Sequence, residues 1–446
     1  MQKLALWFLA FVASAVIGTH GIAYWDAGDY TLLAITGGKS GLLLGRPLFL
    51  WVSRAVLAAG VDPENAETVL RWFWSGVGAT SAPLLTVLAT RLGLDGRSAL
   101  VAGAALALSP SFAHTSHQVL TDAPALALSI AALACAAGRQ PVRAGALMAA
   151  AIATRETAAI HLVAMVMLLA GRRAALQGRQ QPGLKPRPTD ALRSLAACAI
   201  GLGLIIVAAP PAGMGQWLGA MSQSARAHPW SAVDLLTALA WVFAAGPAPV
   251  AIGAWILMRG EISRRVRIVV IPAAVGTLLL LFYPDGSFSP RYVLATVPVA
   301  FFIAAAPWLA SRFTIAAAVL VVPLVAAALP AARANAVAAQ GATLNERIPA
   351  LPENAVVVPG HFCPQARLAA AIAKRPDLRF VCPGWDWPPD VAGALDSALK
   401  QGVAIAVDVR EIAWVGRREE APRDAIRAWL QFKQFRPVAD FSVVGQ

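Results

Sequence analysis

The chain has 446 residues, 58% of them hydrophobic and 14% charged, with a mean hydropathy of +0.62. Soluble domains carry about 25% charged residues, so this composition excludes an ordinary soluble enzyme and makes the bilayer the main solvent. The net charge of +13 would suit nucleic acid by sign, but it is unevenly placed. Residues 333–446 hold 14 basic and 12 acidic side chains, while residues 1–332 hold 23 and 12, much of that excess in short loops between apolar runs. Basic loops orient membrane helices. With no aromatic-basic binding motif beside them, nucleic acid is excluded as a partner.

A membrane span needs ~20 apolar residues. In chain order, such runs lie near 4–18, 69–90, 98–113, 119–138, 192–212, 235–258, 267–283, 292–310 and 313–332. Ala13-Ser14-Ala15 has the look of a signal-peptide cleavage site, but the many later spans favour an uncleaved first helix. One further apolar stretch, 141–171, is interrupted by Thr154-Arg155-Glu156. The basic segment after it (Arg172, Arg173, Arg179, Lys185, Arg187, Arg193) and the one before it (Arg139, Arg143) both belong on the cytoplasmic side. The stretch therefore goes out and returns as two short helices, with Arg155 and Glu156 at the outer turn. Short helices fit if their outer ends meet a water-filled cavity.

This parity gives about eleven spans. It places residues 19–68 outside as the first loop and sends the C-terminal segment outside as well. Residues 335–446 change in kind. Strand patterns at 355–358, 379–381, 403–409 and 438–444 alternate with helical patterns at 364–374, 390–401 and 421–433. That alternation predicts a small α/β domain with a largely parallel sheet. The fold class is thus a polytopic α-helical membrane protein, 1–334, with a C-terminal α/β domain, 335–446. Cys363 and Cys382 are the only cysteines outside the predicted spans. They are open between a disulfide, which an oxidising compartment permits, and two thiols.

The first outer loop carries the most chemistry: Tyr24-Trp25-Asp26-Ala27-Gly28-Asp29-Tyr30, ending in Gly45-Arg46-Pro47. Two carboxylates three apart can share one face of a helix's first turn, although Asp26 could equally be a helix cap. The same membrane face is predicted to hold His114, His117, Thr121, Asp122, Arg155, Glu156, Asp285, Arg291 and Tyr292. Ionisable groups in or near spans are costly and mark functional sites, and Asp122 with Arg155 is a natural pair. His114 and His117, at i and i+3 with Asp122 nearby, could ligate a divalent metal or simply lie at the membrane interface. In the C-terminal domain His361, Cys363, Trp385, Asp386 and Trp387 form an aromatic and acidic cluster suited to sugar binding or to packing.

In order, these motifs resemble those of the GT-C glycosyltransferases. The nearest resemblance is to the branch of the bacterial aminoarabinose transferases and protein O-mannosyltransferases. Asp26-x-x-x-Tyr30 with Arg46-Pro47 is similar to the branch's first-loop motif. Thr121-Asp122-Ala123-Pro124 is similar to its fourth-span motif, and Thr154-Arg155-Glu156 to its Thr-Lys-Gly turn. Ser289-Pro290-Arg291-Tyr292-Val293-Leu294 with Pro298 resembles its Arg-Tyr-Leu-Leu-x-x-x-Pro run. Arg46 and Arg155 stand where lysines are common.

The resemblance implies a sugar donor on a polyprenyl phosphate and an acceptor hydroxyl on a lipid, glycan or protein. It also implies a bacterial inner-membrane location with the C-terminal domain periplasmic. Asp26 is the expected base and Asp29 its companion. Tyr30, Arg46, Asp122, Arg155, Glu156, Arg291 and Tyr292 are expected to bind substrate and phosphate. No cofactor is required, and a divalent metal stays open. Rival readings are a flippase or transporter of lipid-linked intermediates, a ligase moving a whole lipid-linked glycan, and a membrane anchor for the α/β domain.

Overall fold

The structure is a computed structural model and describes residues 1–18, 20–22, 25–38, 46–170, 189–210, 232–281, 290–382, 390–408 and 420–445. The basic stretch 171–188, the loop with Asp285 and the Trp385-Asp386-Trp387 cluster lie outside those residues. The chain divides into two compact units. The first comprises Met1–Thr19, Lys39–Ser53 and Arg71–Ala332, and the second His20–Gly38, Arg54–Leu70 and Arg333–Gln446. Residues 20–38 and 54–70, which the sequence division at 334 leaves with the spans, cluster with the C-terminal part.

The first unit is a helical bundle whose core is built largely from alanine. Small residues let helix backbones approach, the main source of association where lipid is as apolar as leucine. The helix Pro141–Thr154 packs between Asp122–Ala137 and Thr189–Ala208. At Gly145 the approach is so close that a Cβ would meet the Ser194 carbonyl and lie 2.9 Å from the Ala197 Cβ.

Two helical runs among the described residues, Thr189–Ala208 and Phe313–Ala350, are long and apolar enough to cross a membrane. A third qualifies if Leu235–Ala244 and Pro247–Arg259, bent by 106°, form one span. The sequence reading made 235–258 one continuous span. The break falls at Gly246-Pro247, where proline opens a new helix and cannot donate into the preceding one. Other predicted spans are shorter apolar helices, among them Gln2–Ile17, Gly96–Ala107, Asp122–Ala137 and Pro298–Ala310. The stretch 141–171 breaks at Arg155: the helix Pro141–Thr154 ends there, a 3₁₀ turn follows over Glu156–Ile160, and His161–Ala170 is helical again.

The second unit has a five-stranded sheet, β1 Val356–Val358, β2 Arg379–Phe380, β3 Ile405–Val407, β4 Arg436–Val438 and β5 Phe441–Val444, in the order β2-β1-β3-β5-β4. Strand side chains alternate faces, and the two cores follow that period. Val357, Ala406 and Val443 pack toward the helix Cys363–Ile372, while Val356, Val358, Ile405 and Val407 pack toward Val391–Lys400 and Glu420–Gln431. Helices thus cover both faces. The first three strands are parallel, as expected, but β5 runs antiparallel to β3 and pairs β4 in a hairpin. The run read as one strand, 438–444, is split by Ala439 and Asp440, both at positive φ. Two consecutive positive-φ residues make the tight turn that right-twisted strands need.

Two arginines tie this unit's loops. Arg347 donates to Asp408 Oδ2 at 2.8 Å and to the Ala439 carbonyl at 2.9 Å. Arg375 holds the Asp377 carboxyl well below the usual carboxylate range and also donates to the carbonyls of Pro349, Leu351 and Pro352. Cys363 and Cys382, 19 positions apart in sequence, are joined as a disulfide with Cα atoms 5.6 Å apart. Closing a loop of that length contributes about 3 kcal/mol in the chain-entropy account. The Cys363→Ser/Cys382→Ser variant should melt earlier in differential scanning fluorimetry of the full chain. Reductant should lower the wild-type transition by the same amount and leave the variant unmoved.

Candidate functional site

In the first unit, three distant chain segments bring four charges together, Arg46, Asp122 and Arg155 buried and Glu156 partly exposed. Arg46, 4% exposed and at φ 50°, stands just before the helix Pro47–Leu57. Its guanidinium faces Glu156 through both amino groups: Nη1 bonds Oε2, and Nη2 donates to Oε1 at 2.9 Å. Arg155, also 4% exposed, donates from Nη1 to Asp122 Oδ2 at 2.8 Å and to Thr121 Oγ1 at 3.2 Å. Asp122 opens its helix, where the N-terminal partial charge favours a carboxylate. The extended backbone of Arg155 (φ −157°) ends the preceding helix. The result is an alternating ladder of cation, anion, cation, anion.

A fourth segment adds an aromatic and a third arginine. The Tyr292 ring lies 5.2 Å from the guanidinium carbons of both Arg155 and Arg291, within range of cation–π attraction. Just beyond, buried His161 donates from Nε2 to the Ala295 carbonyl at 2.6 Å, fixing the turn after Tyr292 against the start of the helix His161–Ala170. Sequence reasoning missed His161. A single histidine opening an apolar helix was its only signal. It also missed the Arg46–Glu156 pair, whose members are 110 residues apart.

The remaining expected residues come from other segments of the chain. His117 is buried, with Nδ1 2.9 Å from Ser75 Oγ and its ring edge-on to Trp72. His114 lies on the short helix Pro110–Ser116. Among the described residues, no group of three or more His, Cys, Asp or Glu side chains could hold a metal ion. Asp26, Asp29 and Tyr30 belong to the second unit. There Asp26 is the second residue of the helix Trp25–Thr36, inside the first turn and not at the cap. Ala27, Gly28, Tyr30, Thr31 and Ala34 are buried residues of that helix, and it packs on Cys363–Ile372, a Cβ on Gly28 falling 2.6 Å from Pro364. Asp26 and Asp29 are half-buried, one turn apart.

The architecture matches solved structures along nearly its whole length. ArnT from Cupriavidus metallidurans, in a crystal structure bound to undecaprenyl phosphate, aligns over 99% of this chain and 97% of its own, with a TM-score of 0.61 and 14% identity. The Archaeoglobus fulgidus oligosaccharyltransferase AglB, in complex with an inhibitory peptide and a dolichol-phosphate, aligns over 100% of this chain and 74% of its own, at 0.53 and 11%. The chain therefore has the GT-C fold. Within that class, residues 46–168 match the family model of the dolichyl-phosphate-mannose-protein mannosyltransferases. That stretch begins at Arg46 and contains the whole ladder. No curated protein matches the chain by sequence.

Removing one member of a buried ion pair strands the other and costs about 3–5 kcal/mol. Arg155→Ala should therefore destabilise the protein strongly, and Arg155→Ala/Asp122→Ala should recover much of the loss. Chemical or thermal unfolding of the full chain in detergent checks this. Additive losses in the double variant would mean that the pair is not coupled.

Proposed function

We propose that this chain is a membrane glycosyltransferase that moves a sugar from a polyprenyl-phosphate donor to an acceptor hydroxyl. The reaction runs at the periplasmic face of a bacterial inner membrane. The observation that carries this reading is the ladder of Arg46, Glu156, Arg155 and Asp122, which lies wholly inside the family-matched stretch. Solved proteins of the same fold hold undecaprenyl phosphate or a dolichol-phosphate, and a lipid phosphate is the ligand that arginines of this kind suit.

The chemistry assigns the roles. An acceptor hydroxyl has too high a pKa to attack unaided, so a carboxylate takes its proton as the new glycosidic bond forms. Asp26 is that base, and Asp29, one turn along the same helix, orients the acceptor. The bond between the anomeric carbon and the phosphate oxygen breaks, and the electron pair leaves with the lipid phosphate. Attack in line inverts the anomeric centre. Positive charge is needed where the leaving phosphate gains negative charge. Arg46, Arg155 and Arg291 supply it. A guanidinium has five N–H donors in a planar fork, so one arginine can serve a carboxylate and a phosphate together. Glu156 and Asp122 fix the fork planes, Tyr30 contacts substrate, and the Tyr292 ring lies beside two of the cations. The acceptor class is a lipid, glycan or protein.

Transfer of a whole glycan is a second reading, since the fold is shared with an oligosaccharyltransferase. The ArnT comparison spans a larger share of its partner, 97% against 74%, and favours the single-sugar donor.

The test is transfer of labelled sugar from polyprenyl monophosphate donors to membrane extract by the purified protein. Asp26→Asn should lower turnover by about 10²-fold or more with unchanged melting. Arg46→Gln should lower kcat as well as kcat/KM for the donor, since the charge it meets develops as the phosphate leaves. Label leaving only from pyrophosphate-linked glycans would favour the ligase. Equilibration of labelled lipid across liposomes without a new glycosidic bond would favour the flippase.

A further inference from the structure

A groove of about 610 Å³ in the first unit is lined by Met167, Ala170, Arg264, Arg267, Ile268, Ile271 and Pro272. It has no part in the proposed transfer. The helices His161–Ala170 and Arg264–Leu281 that form it pack antiparallel: Ile160 meets Gly276 at one end, and Ala170 lies by Arg264 at the other. Glu156 and Ala170 are 14 positions apart on a helical path, so the groove lies roughly 20 Å from the ladder at 1.5 Å per residue.

Its chemistry is two-part. The wall is apolar and open, with Met167 43% and Ile271 44% exposed, and the lining holds no acidic residue. The mouth carries two guanidinium groups. One is held in place: Arg267 Nη2 donates to the Gly260 carbonyl at 2.9 Å, and so is tied to the turn that ends the preceding helix. Arg264, Arg265 and Arg267 also crowd the start of the helix Arg264–Leu281, which has no acidic residue in its first turn. Cations at the positive end of a helix are unfavourable. A phosphate there would offset both that field and the arginines' mutual repulsion, while acyl chains would cover the apolar wall.

We propose that this groove binds one anionic phospholipid. The arginines take its phosphate, and its chains lie along Met167, Ile268 and Ile271. Inorganic phosphate would leave the apolar wall uncovered, and a zwitterionic lipid would bring a cation to a cationic mouth. The inference stands independently of the proposed transfer activity.

The experiment is native mass spectrometry of the full-length protein released from micelles containing equal phosphatidylglycerol and phosphatidylcholine. Wild type should retain one phosphatidylglycerol with at least tenfold preference. Arg264→Gln should reduce that preference several-fold at unchanged melting temperature, and Arg264→Gln/Arg267→Gln should abolish it. Ile271→Trp, which fills the groove and keeps both arginines, should abolish retention too. Equal retention of both lipids by wild type, or full preference in Arg264→Gln and Ile271→Trp, overturns the proposal. So does stoichiometric displacement of phosphatidylglycerol by an equimolar polyprenyl phosphate, which would make the groove a polyprenyl-lipid site.

Discussion

Charges buried beside membrane helices must be paired, and this requirement shapes the first unit more than any single hydrophobic contact. An isolated guanidinium or carboxylate in a low-dielectric setting is prohibitively costly, whereas a hydrogen-bonded pair is tolerated. Arg46 with Glu156 and Arg155 with Asp122 meet that condition. The pairs lock together elements from three parts of the chain: the start of Pro47–Leu57, the start of Asp122–Ala137, and the break between Pro141–Thr154 and His161–Ala170. That break exists because Arg155 leaves helical geometry, its side chain reaching Asp122 and its neighbour Glu156 reaching Arg46. A continuous apolar helix through 141–171 would bury more hydrocarbon but would have no place for these contacts.

The same reasoning explains which features could be read from the sequence. Asp122 and Arg155 were legible as a pair because each is an ionisable residue at the edge of an apolar run and each needs a partner. The break at Arg155 was legible because basic segments flank the stretch on both sides. The Arg46–Glu156 fork was not, since neither local pattern nor spacing links residues 110 positions apart. In the second unit, the apolar runs Val356-Val357-Val358 and Ile405-Ala406-Val407 announced short strands, and the structure buries them on both faces. The hairpin between β4 and β5 stayed hidden because its turn is Ala439-Asp440, and neither alanine nor the pair carries the Asn-Gly signal that positive φ usually demands. The helix Trp25–Thr36 read as part of an outer loop, yet its buried Ala27, Gly28 and Tyr30 give it a packing partner in Cys363–Ile372.

The identity of the charged residues narrows how the ladder works. Lysine is a point charge on a flexible stem, whereas arginine offers a planar fork that matches a carboxylate at two points. Arg46 uses that fork on Glu156, which lies in the turn that resembles the Thr-Lys-Gly motif, where glycine would offer no carboxylate. Arg46, one of the two arginines that stand where lysines are common, and Glu156 are therefore complementary in geometry. An arginine at 46 without Glu156 would lack its two-point anchor, and Glu156 opposite a lysine would be held at one point only. The pairing makes 46 and 156 one unit, so that either residue exchanged alone leaves a buried charge badly matched, while the pair exchanged together restores a single cation at the mouth of the loop. Arginine and lysine carry the same charge, so the exchange at 46 changes only the geometry of that charge, and the carboxylate present at 156 is met at two points by the fork the exchange supplies.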